Sequence, residues 1–139
     1  MRKVLFDVNV VLDILLNRRP HVEASAAAFA AVETGSAQGF LAAHAITTIH
    51  YLIRREMSAS LAKRLIQTIL GVFSIAAVDG AVILEALQSH GPDFEDAVTA
   101  AAARHAGCDY IVTRDPVGFR RSPVRSLTPE ALVSILAGP

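Results

Sequence analysis

Short apolar runs alternate along the chain with longer segments in which apolar residues recur every three or four positions, as in a helix. The short runs are rich in strand-forming residues and predict buried strands. They are residues 3–6, 39–42, 72–78 and 110–113, with a shorter fifth candidate at 122–126. Helices are expected between them, at 47–55, 59–70 and 79–88, and in a segment that Asp93 caps and that closes near Gly107. This alternation predicts an α/β fold with three layers (α/β/α) and a central, mainly parallel sheet of four to five strands.

Three aspartates lie at the positions where open α/β sheets usually carry their functional sites. Asp7 follows the first strand, Asp96 lies in the first turns of a later helix, and Asp115 follows the fourth strand. The carboxyl ends of parallel strands and the starts of the following helices share one edge, so the three should converge. Clustered carboxylates repel each other, and a hard cation such as Mg²⁺ or Mn²⁺ relieves the repulsion. The pattern favours metal-dependent phosphodiester hydrolysis, although each aspartate by itself could be a helix cap or a turn residue.

Composition sets the remaining limits. A length of 139 residues fits one domain over residues 1–139, and a formal net charge of zero does not indicate a nucleic-acid binder. The single cysteine, Cys108, cannot form an internal disulfide, which favours the reducing cytoplasm. No apolar run is long enough for a secretion signal or a membrane span.

A local cluster of arginines follows the fourth strand. Its members are Arg114, Arg120, Arg121 and Arg125. Such a cluster near the acidic positions could contact the phosphates of an RNA strand, because arginine offers several donors and a permanent charge. A solvated face is the simpler interpretation of this cluster.

The ordered motifs resemble those of one known family. Residues 4–13, VLFDVNVVLD, resemble the opening motif of PIN domains. Residues 93–97, DFEDA, and 107–115, GCDYIVTRD, resemble the second half of the family, and Phe119 with residues 127–130, LTPE, fits its closing pattern. The resemblance implies an endoribonuclease that cleaves single-stranded RNA with Mg²⁺ or Mn²⁺. It further implies a toxin of the VapC kind, with an antitoxin protein as partner and a homodimer as assembly.

The same resemblance assigns roles to individual side chains. It implies that Asp7, Asp96 and Asp115 bind metal. Asn9 would orient Asp7 or a metal-bound water, and Thr113 would hydrogen-bond Asp7 or the phosphate. A helix cap at Asn9 and a strand-end polar group at Thr113 are equally consistent with the sequence.

The sequence departs from the family at one position. Most PIN domains carry a Glu in the helix after the second strand, and here that place falls on Ile49 or His50. Asp93 or Glu95 could substitute, but Asp93 is also a helix cap, and Glu95 lies about 100° from Asp96 around an ideal helix.

Two alternatives therefore stay open. One is a non-catalytic PIN scaffold that binds RNA or a protein. The other is a phosphatase with Asp7 as nucleophile, although such enzymes carry a second Asp where Asn9 stands.

Overall fold

The computed structural model describes residues 1–89, 91 and 93–138, in which strands and helices alternate. The strands are β1 (Lys3–Phe6), β2 (Gln38–Ala42), β3 (Ser74–Ala76), β4 (Tyr110–Val112) and β5 (Arg125–Leu127). The helices are α1 (Val8–Leu15), α2 (Val22–Glu33), α3 (Ala43–Glu56), α4 (Ala59–Leu70), α5 (Gly80–Leu87), α6 (Phe94–His105) and α7 (Pro129–Ala137), with a 3₁₀ helix at Pro116–Phe119.

All neighbouring strands of the sheet pair in parallel, in the order β3-β2-β1-β4-β5. From the central strand β1 the chain builds outward to β3 on one side, then returns to add β4 and β5 on the other. The order therefore reverses between β1 and β4. Open α/β sheets bind their ligands outside the carboxyl ends of the strands at such a reversal. The predicted parallel sheet is confirmed, with five strands.

Each face of the sheet is covered by helices. Val4 and Phe6 point into a core formed with α1, α2, α3, α4 and α7, whereas Leu5 points into a second core formed with α5 and α6. All three side chains are fully buried, as expected for a parallel strand covered on both faces. The predicted three-layer arrangement is confirmed. In the described part of the chain, no helix is long and apolar enough to cross a membrane.

Some element boundaries differ from those predicted. The third strand is only Ser74–Ala76, within the predicted 72–78. Helix α3 begins at Ala43 rather than at 47, directly after β2. The helical propensity of alanine explains this earlier start, which sequence periodicity alone did not mark.

Candidate functional site

Asp7 stands immediately after β1 and is held at both carboxylate oxygens. Its Oδ1 accepts a hydrogen bond from the Val8 amide at 2.8 Å, and its Oδ2 accepts one from Thr113 Oγ1 at 2.9 Å. Asp7 is therefore the cap of α1, and the interpretation of Asn9 as that cap is wrong. Burial raises the pKa of Asp7 above its usual value, and the two hydrogen bonds and the charge of Arg114 oppose that rise.

Thr113 connects the ends of two adjacent strands. It follows β4, is fully buried, and donates its hydroxyl to Asp7. The same oxygen accepts a hydrogen bond from the backbone amide of Asp115 at 3.1 Å. The hydrogen bond to Asp7 that the family resemblance implied for Thr113 is thus present, and it ties the Asp115 backbone to the end of β1.

Asp96 and Asp115 converge beside Gly118. A Cβ atom placed on Gly118 would lie 3.2 Å from Asp115 Oδ2 and 3.4 Å from Asp96 Oδ2. Asp96 reaches this place because it lies in the first turn of α6, where Asp93 caps the helix by accepting a hydrogen bond from the Asp96 amide at 2.9 Å. The glycine leaves open the space that the two carboxylates border.

The acidic groups act on one another electrostatically. The pKa of Asp96 is raised from 3.8 to about 6, first by burial and then by the charges of Asp93, Asp7, Glu95 and Asp115. Asp7 therefore belongs to the same electrostatic cluster as Asp96 and Asp115, although its direct hydrogen bonds go to Val8 and Thr113. A cluster of this kind is costly unless a cation or a proton neutralises part of it.

The donor chemistry fits a hard divalent cation. Among residues 1–89, 91 and 93–138, no three acidic, histidine or cysteine side chains form a preassembled metal cage. Mg²⁺ does not require one, because it is usually held by one or two carboxylates together with waters and substrate phosphates. Asp96 and Asp115 provide such a pair. Asn9, two residues after Asp7, has a buried amide oxygen, Oδ1, without a hydrogen-bond partner in the described structure.

The arginines divide into two groups. Arg114 Nε lies 2.9 Å from Oδ2 of the fully buried Asp13, so one edge of its guanidinium is committed to the protein. Arg120 and Arg121 are exposed. Arg121 lines a cavity of about 450 Å³ together with Asp93, Asp96 and Gly118. Among the arginines predicted to contact phosphate, Arg121 therefore lies on the cavity that Asp96 also lines.

Neither position that aligns with the missing family Glu belongs to the cluster. Ile49 is fully buried in the core that Val4 and Phe6 share, and His50 is half-buried farther along α3. An acid at position 49 would lose its hydration in an apolar core, which is costly. No sequence pattern assigned a role to Gly118 or Asp13. A residue without a side chain three positions after Asp115 was the available signal for Gly118, and no signal pointed to Asp13.

A family model and several solved structures match the chain. Residues 3–116 match the model of the PIN domain. No curated protein matches significantly. The fold is similar to FitAcB from Neisseria gonorrhoeae (23% identity, TM-score 0.70, covering 91% of this chain and 97% of that one).

Two further structures are similar at lower identity. One is DNA-bound VapBC from Salmonella typhimurium (15% identity, TM-score 0.68, 93% of this chain and 99% of that one). The other is a toxin–antitoxin complex from Klebsiella pneumoniae (19% identity, TM-score 0.68, 91% and 97%). At these identities the likeness establishes a shared fold.

Proposed function

The chain belongs to the PIN-domain family, and we propose that it is a metal-dependent endoribonuclease that hydrolyses phosphodiester bonds in single-stranded RNA. One observation carries the proposal: Asp96 and Asp115 meet beside Gly118, and the charge of Asp7 acts on the same group. Three carboxylates at the reversal point of a parallel sheet suit cation-assisted phosphoryl chemistry. We also propose that residues 1–139 form one domain, since both cores share the central sheet.

The roles proposed for the side chains follow from their contacts. Asp96 and Asp115 would hold a Mg²⁺ or Mn²⁺ ion, and Asp7 would complete the negative field around it. When bound, the cation supplies positive charge for the phosphate and lowers the pKa of water at the site. Thr113 keeps the Asp7 carboxylate in one orientation through its 2.9 Å hydrogen bond. Asn9 Oδ1 is a further oxygen available to the ion or its waters. Asp93 and Glu95 act on Asp96 by charge.

Positive charge along the RNA path would come from the arginine cluster. Arg121 borders the cavity beside Asp96, and Arg120 is exposed next to it in sequence. Both suit phosphate contacts on either side of the cleaved bond. Arg114 is held near Asp7 by Asp13, where its charge could oppose the charge that develops on the phosphate during attack.

We further propose that the chain is the toxin of a toxin–antitoxin pair and forms a homodimer. The solved relatives include a toxin–antitoxin complex and a DNA-bound VapBC. The segment formed by α3, α4 and the turn between them leaves three large apolar side chains exposed: Tyr51, Met57 and Leu70. Exposed apolar groups of this size suit coverage by a partner. Sedimentation at high micromolar concentration would separate a dimer from a monomer.

The decisive experiment compares purified, antitoxin-free chains on a broad pool of single-stranded RNA. Wild type should cleave with Mg²⁺ or Mn²⁺ and be inactive in EDTA. Asp96→Asn and Asp115→Asn keep the shape but remove a ligand charge, so cleavage should fall by at least about a hundredfold, the scale of losing one main stabilising group. Asp109→Asn is the matched control, because this exposed carboxylate precedes β4 at the opposite edge of the sheet. The proposal fails if wild type cleaves no RNA with either metal.

A non-catalytic scaffold is favoured by one observation, the absence of a preassembled three-ligand cage in the described residues. Calorimetric titration with Mn²⁺ discriminates, because a scaffold has no reason to bind the ion. The phosphatase alternative is disfavoured by Asp7 itself. Its side chain is buried and both oxygens accept hydrogen bonds, which leaves little room for nucleophilic attack.

A further inference from the structure

Asp13 is a fully buried carboxylate that none of the roles above requires. It lies in the last turn of α1, the helix that Asp7 caps, and none of its surface is exposed. Burying an ionised carboxylate costs free energy unless it is paired and hydrogen-bonded. The partners of Asp13 therefore show what this residue does.

One oxygen of Asp13 makes both of its side-chain contacts. Oδ2 accepts a hydrogen bond from Ser25 Oγ at 3.2 Å and lies 2.9 Å from Arg114 Nε. The Arg114 N–H does not point along that line, so the contact is an ion pair rather than a directed hydrogen bond. Oδ1 has no hydrogen-bond partner within the described structure. A buried charge with so few hydrogen bonds contributes little to the free energy of unfolding, because replacing a buried ion pair with apolar residues of similar volume is often neutral or stabilising. Stability alone therefore does not explain Asp13.

The residue that Asp13 binds stands in the middle of the site loop. Arg114 lies between Thr113, which donates to Asp7, and Asp115, whose carboxylate lies beside Asp96. Helix α1 thus holds the loop at two points, through Asp7 at its start and through Asp13 in its last turn. Two attachment points fix both the position of the loop and its rotation, which one hydrogen bond could not do.

We propose that Asp13 is a positioning residue of the candidate site, holding Arg114 so that the following residue, Asp115, stays beside Asp96. The chemistry it supports rests on the proposed function, whereas the coupling between Asp13 and the loop can be measured without RNA. A partner that orients a ligand from behind affects metal affinity or activity by about tenfold to a hundredfold when it is removed.

The first test is Asp13→Asn, which keeps the shape and removes the charge. Amide hydrogen exchange at Asp115, whose N–H is bonded to Thr113 Oγ1, should accelerate by about tenfold, and the Kd for Mn²⁺ should rise by about the same factor. Exchange at Leu5 in β1 reports global unfolding and should change less. The matched control is Ser25→Ala, which removes the other contact to the same oxygen and should leave both quantities near wild type.

A second test separates positioning from stability. In the double variant Asp13→Asn with Arg114→Gln, no uncompensated charge remains, so the thermal midpoint should recover relative to either single variant. The ion pair is still absent, so exchange at Asp115 should stay fast. If exchange at Asp115 recovers together with the midpoint, Asp13 is only a partner for a buried charge and the proposal is overturned.

The remaining outcomes also decide the question. Unchanged exchange and unchanged Mn²⁺ affinity in Asp13→Asn would overturn the proposal. If that variant does not fold, Arg114→Lys tests the same contact, because Arg114 is the partly exposed partner and lysine keeps the charge. This variant should also accelerate amide exchange at Asp115. A wild-type chain that binds Mn²⁺ but cleaves no RNA would refute the nuclease function alone, and the Mn²⁺ affinities of the variants would still judge Asp13.

Discussion

Thr113 Oγ1 donates a hydrogen bond to Asp7 Oδ2 across the carboxyl ends of two adjacent strands, at 2.9 Å. The two residues are 106 positions apart in the sequence. Parallel pairing of β1 with β4 nevertheless places them side by side. Because the same hydroxyl accepts from the Asp115 amide, it sets both the orientation of one acid and the backbone that carries another. Several properties of the site depend on this one oxygen.

Thr113→Val should therefore destabilise the protein and weaken metal binding. The substitution nearly preserves volume but leaves Asp7 Oδ2 and the Asp115 amide each without the partner that Thr113 provides, while Asp7 Oδ1 keeps its hydrogen bond from the Val8 amide. A buried hydrogen bond to a charged group contributes about 1.5–3 kcal/mol, so chemical denaturation near pH 7 should show a loss of about 2 kcal/mol. Calorimetry should show a higher Kd for Mn²⁺.

The control for this variant is Thr99→Val. Thr99 is also buried, but its hydroxyl donates to the Glu95 carbonyl within its own helix at 3.0 Å and makes only a long contact, 3.4 Å, with His44 Nε2 on α3. Its removal should cost less stability, since such bonds back to the helix contribute little. Equal effects of the two substitutions on Mn²⁺ affinity would contradict a special role for Thr113.

The sequence was sufficient to predict the sheet but not the contacts that organise its edge. The apolar run before Asp7 and the residues around Thr113 marked two strands, and parallel pairing then implied that the acids would share an edge. The ion pair between Asp13 and Arg114 could not be predicted, because Asp13 lies within an apolar helix and Arg114 within a basic cluster. Only the tertiary fold brings the last turn of α1 against the loop after β4, where the two side chains meet.

Gly118→Ala should reduce cation binding with little effect on the fold. The added Cβ would lie 3.2 Å from Asp115 Oδ2 and 3.4 Å from Asp96 Oδ2, so the Asp115 carboxylate would have to shift by a few tenths of an ångström and the methyl group would fill the space between the two acids. The Kd for Mn²⁺ should rise by about tenfold, the scale for disturbing the geometry of metal ligands. Gly80→Ala is the matched control, because nothing lies within 4 Å of the Cβ it would add. Equal Mn²⁺ affinities in the two alanine variants would count against a cation between Asp96 and Asp115.

Arg120→Gln and Arg121→Gln should weaken RNA binding in a manner that depends on salt. Binding is best measured in the Asp96→Asn background, where cleavage is slow. Each phosphate contact contributes about 0.7 to the slope of log K against log salt for single strands, so each variant should reduce the slope by about that amount. Arg64→Gln on α4, which does not border the cavity, should leave the slope unchanged. A slope unaffected by either variant would remove both arginines from the proposed RNA path.

Asp96 should make the metal-free protein less stable as pH rises. Its pKa is raised from 3.8 to about 6 by burial and by the neighbouring acids. Between these values the folded state retains a proton that the unfolded state has lost, so stability falls as pH increases through this window and levels off above it. The full shift corresponds to about 3 kcal/mol, but solvent screens a partly exposed group, so a change of about 1 kcal/mol is expected.

Comparing wild type with Asp96→Asn isolates this effect, because the variant cannot titrate at this position. Without metal in denaturation experiments, the variant should be the more stable protein at pH 7, and its advantage should disappear near pH 4. Saturating Mn²⁺ should reverse the order at pH 7, since an ion that binds only the folded state stabilises the chain that retains its ligand. The affinity of wild type for Mn²⁺ should also fall below about pH 6, where a proton competes with the ion for Asp96. If the pH profiles of stability run parallel for the two chains without Mn²⁺, the neighbouring acids do not destabilise ionised Asp96. If they also run parallel with Mn²⁺, Asp96 does not bind the cation.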